Sequence, residues 1–143
     1  MTKSNRKDLL FLNLAASVSA FSHCNRRKVG AVIVDKDNRV ISTGYNGTPK
    51  GTCNDCEDAA GKTKPTVIHA ERNAIAFAQQ NLQGCTIYIT LSPCITCAAE
   101  IIQAGIERVV FSEHYHRHIS DRSICGATYL KSEGVLVEHL KND

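Results

Sequence analysis

His69 and Glu71 stand two apart in Val67-Ile68-His69-Ala70-Glu71-Arg72-Asn73-Ala74-Ile75, and Cys94 and Cys97 stand three apart in Ser92-Pro93-Cys94-Ile95-Thr96-Cys97-Ala98-Ala99-Glu100. One imidazole and two thiols can supply three ligands of a tetrahedral zinc and leave the fourth position open to water. Glu71 is close enough in sequence to project beside such a metal without binding it. Each stretch reads as an extended or capping approach followed by Ala-rich sequence of high helix propensity. His69 and Glu71 are therefore expected in the first turn of one helix. Cys94 and Cys97 are expected on one face in the first turn of another. Both helix N-termini would aim their positive ends at the site and favour thiolates. The competing reading is a closed structural zinc site joining two helices, which leaves Glu71 without a role and names no fourth ligand.

The paired motif His-x-Glu and Pro-Cys-x-x-Cys resembles the signature of the zinc-dependent nucleobase and nucleotide deaminases. Each half alone is weak, because a bare Cys-x-x-Cys also serves structural zinc and redox chemistry. The parts nevertheless make a mechanism: zinc on His69, Cys94 and Cys97 lowers the pKa of its water towards neutrality. Glu71 takes a proton from that water and passes protons to a ring nitrogen and a departing amine. Attack at carbon 4 of a cytosine then releases ammonia.

Further stretches resemble the deoxycytidylate deaminase branch, of viral and bacterial type. They are Arg27-Lys28-Val29-Gly30-Ala31-Val32-Ile33, Gly44-Tyr45-Asn46-Gly47-Thr48-Pro49, Thr90-Leu91-Ser92-Pro93-Cys94 and Ser112-Glu113-His114-Tyr115. The resemblance implies conversion of dCMP to dUMP, which feeds thymidylate synthesis. It implies that Asn46 hydrogen-bonds the nucleotide, that backbone groups at Ala70 and Ser92 read the pyrimidine, and that Tyr115 packs at the pocket. It further implies a homohexamer activated by dCTP and inhibited by dTTP, with Mg²⁺ accompanying a triphosphate effector. Arg26, Arg27, Thr48 and Lys50 are candidates for phosphate or effector contacts. The family often carries a second, structural zinc. Cys24, Cys53 and Cys56 name three candidate ligands where a closed site needs four. Two other functions stay open: a deaminase acting on tRNA or another nucleotide, and a zinc-stabilised interaction module that has no use for Glu71.

The rest of the composition bounds these readings. A chain of 143 residues fits one domain, residues 1–143, long enough to bury a core. Apolar content of 43% with 22% charged residues is that of a globular chain. A net charge of +3 suits an anionic small molecule and falls short of the basic stripe of a polynucleotide binder. There is no Trp, and the four Phe and four Tyr do not interleave with Lys and Arg as a base-stacking platform would. Seven cysteines, an odd number with two claimed by the candidate metal site, favour a reducing cytoplasm, the host's if the source is viral, over a disulfide framework. Lys3, Arg6 and Lys7 before Leu9-Leu10-Phe11-Leu12 imitate a signal peptide, but Asp8 and Asn13 interrupt the run and helical periodicity continues. No apolar stretch is long enough to cross a membrane.

Periodicity places helices at 8–22, 67–80, 95–104 and 121–132, the last weakened by Gly126. Strands are expected at 28–34, 39–43, 85–91, 108–112 and 134–138. That order predicts an α/β fold, a three-layer α-β-α sandwich around a five-stranded mixed sheet, with the last two strands parallel. The resemblance supports the same cytidine deaminase-like fold. Helix 67–80 is apolar most of the way round, which leaves Phe77, with Ala74 and Ala78, facing a subunit neighbour. Residues 50–65 read as a long loop. His114, His116 and His118 alternate, so an extended strand would put them on one face, which fits a metal site or, more readily, a basic loop near phosphates. Cys85 and Cys125 read as small buried residues.

Overall fold

The computed structural model describes residues 3–114 and 125–141. Its elements run α1 (Lys3–Ser19), β1 (Gly30–Val34), β2 (Val40–Tyr45), α2 (Ala70–Ala78), β3 (Thr86–Leu91), α3 (Ile95–Gln103), β4 (Arg108–Glu113), α4 (Gly126–Ser132) and β5 (Leu136–His139). The strands form one sheet in the order β2-β1-β3-β4-β5. β1 is antiparallel to β2 and β3, whereas β3, β4 and β5 are parallel. The α/β fold and mixed five-stranded sheet expected from the sequence are present, as is the parallel final pair.

The strands alternate between two cores because successive side chains point to opposite faces. Ala31, Ile33, Ile87, Ile89 and Val109 pack with Ala70, Ala74, Ala98, Ile101 and Leu130 from α2, α3 and α4. Val32, Val34, Tyr88 and Val110 pack with Phe11, Leu12 and Ala15 of α1. β1 is buried along its whole length, which explains its unbroken apolar run. One helix therefore covers one face and three cover the other.

Several element boundaries differ from expectation for local reasons. α1 starts at Lys3, so Asp8 lies inside it rather than at its start. α2 is shorter than expected: Ile68 is extended and pairs with Gly47, and Gln79 ends the helix with φ of 52°. β5 starts at Leu136 because Gly134, with φ of 86°, belongs to the preceding turn. Residues 121–124 of the expected last helix lie outside the described residues. The expected apolar face of α2 is narrower too. Phe77 is 56% exposed, but Ala74 is buried and Ala78 packs against the core.

Asp8 is 3% exposed and has a purpose the sequence does not show. Its carboxylate accepts two hydrogen bonds from Arg108, at 2.9 and 2.7 Å, and one from the Tyr88 hydroxyl at 2.7 Å. Burial alone would raise its pKa, but the bonds from Arg108 and Tyr88 outweigh it and the value is lowered. A lowered folded-state pKa stabilises the fold fully above the unfolded value of about 3.9, and that contribution is lost as pH falls through the folded value. Asp8→Asn is expected to lower the urea midpoint at neutral pH. It should also flatten the stability loss that the wild type shows below about pH 4. Urea titrations of both proteins across that range check this.

Candidate functional site

His69 is the residue before α2 and Cys94 the residue before α3, both in extended backbone with ψ of 154° and 169°. His69 is thus the cap of its helix rather than a member of its first turn. Extended backbone at both caps turns the two side chains across the gap between the helix starts. Cys97, on the third residue of α3, completes the group. The His69 Nδ1 lies 3.3 Å from Cys97 Sγ and 3.5 Å from Cys94 Sγ. The three donor atoms all fall within 4.8 Å of one another.

These distances fit a tetrahedral metal. Zinc–sulfur bonds of about 2.3 Å and zinc–nitrogen bonds of about 2.0 Å at tetrahedral angles separate N from S by roughly 3.5 Å. The donor set, one imidazole and two thiols, is the kind that zinc takes. Cys94 Sγ also accepts the backbone N–H of Cys97 at 3.4 Å, so the sulfur does the work of a helix-capping oxygen. Hydrogen bonds from the Cys97 thiol, His69 and the Cys97 backbone pull Cys94 down to about 3, against its burial. Cys97 is pushed up, by giving that hydrogen bond to Cys94 and by burial.

Glu71, on the second residue of α2, is 4% exposed. Burial pushes its carboxyl up to about 7. A carboxyl at that value takes and returns a proton near neutral pH. Glu71, His69, Cys94, Ala70, Ser92 and Asn46 line a cavity of about 160 Å³, walled further by Arg27, Val29, Val67 and Leu91. That is below the roughly 300–1,000 Å³ of drug-sized pockets and suits a single small ring.

Of the expected substrate contacts, Asn46, Ala70 and Ser92 are therefore brought together with the donor cluster. Asn46 also holds the wall in place. Its Oδ1 accepts from the Val29 N–H and its Nδ2 donates to the Arg27 carbonyl, both at 2.8 Å. An amide can make four hydrogen bonds, so a donor and an acceptor site remain beyond these two. The Ser92 N–H donates to the Glu113 carbonyl at 2.9 Å. Arg27 pairs with Glu113 at 3.0 Å at the cavity wall. Arg26 is exposed and does not line the cavity. Thr48 and Lys50 line a neighbouring hollow of about 350 Å³ that also takes in Asn46, Tyr45 and Phe77. Tyr115, His116 and His118 lie outside the described residues.

Cys24 and Cys56 are joined in a disulfide, a bond the odd cysteine count argued against. Cys53 is exposed, and Glu57 takes the third place beside the two sulfurs. In this state the pair holds the loop after β2 to the turn after α1 and offers no thiolate to a second metal. Sequence reasoning missed Val29, Thr63, Val67 and Leu91 as cavity walls, although all but Thr63 stand within two residues of one already singled out. It also missed Gly44, where a methyl would lie 2.4 Å from the Ala70 carbonyl oxygen. Only glycine lets β2 approach α2 that closely.

The family model for the cytidine and deoxycytidylate deaminase zinc-binding region matches residues 5–113. The deoxycytidylate deaminase of Mycobacterium phage D29 is 40% identical over 119 residues, covering 73% of this chain and 92% of that one. The deoxycytidylate deaminase of Saccharomyces cerevisiae is 40% identical over 119 residues, and there the matched part covers 76% of this chain but 38% of the yeast protein. Among solved structures, the dCMP deaminase of cyanophage S-TIM5 in complex with dCMP and dUMP superposes with a TM-score of 0.83 at 35% identity, over 98% of this chain and 99% of that one. The chain belongs to the cytidine and deoxycytidylate deaminase zinc-binding family.

Proposed function

We propose that this chain, read as one domain, hydrolyses dCMP to dUMP and ammonia with a single catalytic zinc held by His69, Cys94 and Cys97. The observation that carries this is a buried carboxyl, Glu71, beside an N,S,S donor triangle on the floor of a cavity sized for one ring. The likeness to deoxycytidylate deaminases over nearly the whole of the phage protein supports the substrate. Zinc, when bound, supplies the Lewis acidity that makes water nucleophilic near neutral pH. Glu71 accepts the water's proton and delivers protons to N3 and then to the leaving amine. Ala70 and Ser92 border the cavity with backbone groups that suit the edge of a pyrimidine. Arg27 on the wall, with Arg26 nearby on the same turn, supplies positive charge for a 5′-phosphate. On this reading dUMP goes on to thymidylate synthesis, and the work is cytoplasmic. A tRNA substrate finds less support, since the cavity is small and the basic, aromatic groove such a strand needs has no counterpart among the described residues.

Ammonia release on dCMP, dCTP, deoxycytidine and tRNA in parallel tests the substrate. dCMP should be the best, and loss of the phosphate should cost deoxycytidine roughly 10–100-fold in kcat/KM, the worth of one or two charged hydrogen bonds. Equal efficiency on both would refute the phosphate contact. Glu71→Gln should lower kcat by about 10²–10⁴-fold while keeping its zinc, because it moves protons and is not a ligand.

Metal content is the second test. Elemental analysis should find one zinc per chain while Cys24–Cys56 is closed, and His69→Ala or Cys94→Ser should lose it. A second zinc on Cys24, Cys56 and Glu57 is expected only after the disulfide is reduced, since a disulfide sulfur is not a thiolate. Two zincs in the oxidised protein would overturn that order.

Regulation follows the same reading. Phe77 is exposed beside Tyr45 and the hollow lined by Thr48 and Lys50. A homohexamer would cover this apolar surface and bring triphosphates, with their Mg²⁺, against Lys50 and Arg26. dCTP should then raise the apparent affinity for dCMP and dTTP lower it, each by binding two conformations unequally. Sedimentation and dCMP saturation curves with each triphosphate check this. A monomer, or an oligomer indifferent to both effectors, would remove it.

A further inference from the structure

Gly126 reads in the sequence as damage to a helix, yet it is the buried first residue of α4. A methyl placed on it would lie 2.1 Å from the Pro93 carbonyl oxygen, 2.8 Å from the Cys94 carbonyl oxygen and 2.9 Å from the Cys94 carbonyl carbon. All three are backbone atoms, and two belong to Cys94. Carbon–oxygen contacts in proteins close to about 3.3–3.6 Å, so a side chain here would force a displacement on the order of 1 Å. Metal sites hold their ligand distances to about 0.2 Å. The displacement therefore exceeds what Cys94 can absorb as a ligand.

Two bodies could move, and the packing decides between them. α4 is fastened by Ala127, which is buried, and Leu130, fully buried in the core with Ile101 and Val109. The Pro93–Cys94 segment lies between β3 and α3 and carries the Sγ that faces His69. Cys94 is held at the helix start by two hydrogen bonds, the Cys97 N–H on its Sγ at 3.4 Å and the Ala98 N–H on its carbonyl at 2.9 Å. A three-residue connection tied at such points yields before a helix anchored by a fully buried leucine.

We propose that Gly126 is a positioning residue for the metal centre: with no side chain, it lets α4 seat on the Pro93–Cys94 backbone and fixes Cys94 for coordination. The inference rests on the metal reading above. Its test compares wild type, Gly126→Ala and Leu130→Ala, the last loosening the same helix through a side chain buried in the core with Ile101 and Val109. Each is assayed for thermal unfolding, for zinc affinity by competition with a chromophoric chelator, and for the visible spectrum of its Co²⁺ form, which reports thiolate coordination. Gly126→Ala should fold, bind zinc about 10–100-fold more weakly and show an altered thiolate-to-cobalt band. Leu130→Ala should melt at lower temperature with zinc affinity and cobalt spectrum near wild type. Wild-type affinity and spectrum in Gly126→Ala would overturn the proposal, as would equal zinc loss in both variants. Failure of Gly126→Ala to fold with or without zinc would also overturn it, since the glycine would then serve the core. A wild type that binds no metal would refute the metal reading itself, a result distinct from all of these.

Discussion

Two sulfurs and an imidazole nitrogen, contributed by two different helices, have to meet within a few ångströms, and little in the fold is independent of that. Donors 25 and more residues apart in the chain can be held this closely only by helices whose starts are fixed relative to each other. The sheet supplies the fixing. α3 follows β3 after a three-residue connection, so its start is set by the strand's end. α2 has no strand directly before it and is placed by contact instead. Gly44 brings β2 against its backbone, the Ser42 hydroxyl bonds to the Ala74 carbonyl at 2.6 Å, and the Asn73 amide bonds to the Tyr45 carbonyl at 2.9 Å. Outside the site, Arg72 and Glu100 pair at 3.0 Å across the two helices, a half-exposed bridge that adds little energy but the same alignment.

The electrostatics follow from that geometry. Crowding two thiols and an imidazole pushes the Cys94 thiol down and the Cys97 thiol up, which favours one thiolate beside the imidazole. A buried carboxyl next to it is resisted on two counts, by desolvation first and by the Cys94 charge, while His69 pulls the other way. Glu71 is thereby kept where both of its protonation states are accessible near neutral pH. An exposed carboxylate at the same spacing would stay ionised and could not return a proton. Burial, rather than any special partner, makes the residue useful.

The donor cluster was legible in the sequence because its information is local: residue types at spacings of two and three, each set against a helix start. The sheet was legible for the same reason, since a run as short, apolar and β-branched as β1's reads as a strand buried on both faces. What the sequence hid depends on long-range packing. Asp8 looks like an ordinary helix-start carboxylate, yet its partner Arg108 is 100 residues away. Gly126 looks like a helix breaker because propensity counts what a residue does to its own helix and not what it spares a neighbour. The disulfide was hidden for a related reason, because an odd cysteine count says nothing about which two sulfurs are adjacent in space. Between Val67 and Ile75 the expected helix began three residues early: Val67, Ile68 and His69 stand before it, and the pairing of Ile68 with Gly47 explains the delay.

The chemical floor of the cavity and its recognition wall are held by different means. The floor rests on helix starts packed into the main core, where opening requires loss of the buried apolar contacts of α2 and α3. The wall is drawn largely from residues without regular structure, Arg27, Val29, Asn46, Thr63 and Val67, whose segments are tied by the Gly47–Ile68 and Glu57–Thr63 bridges, the Cys24–Cys56 bond and the Asn25–Glu57 hydrogen bond at 3.0 Å. Loops tied at a few points open at lower free energy than the elements they cover. Asn46 stands at the seam: it is 9% exposed and locked by its amide to the backbone of residues 27 and 29, yet it also borders the neighbouring hollow. Asn46 thus links the wall to the neighbouring hollow, while the donor cluster is held separately at the starts of α2 and α3.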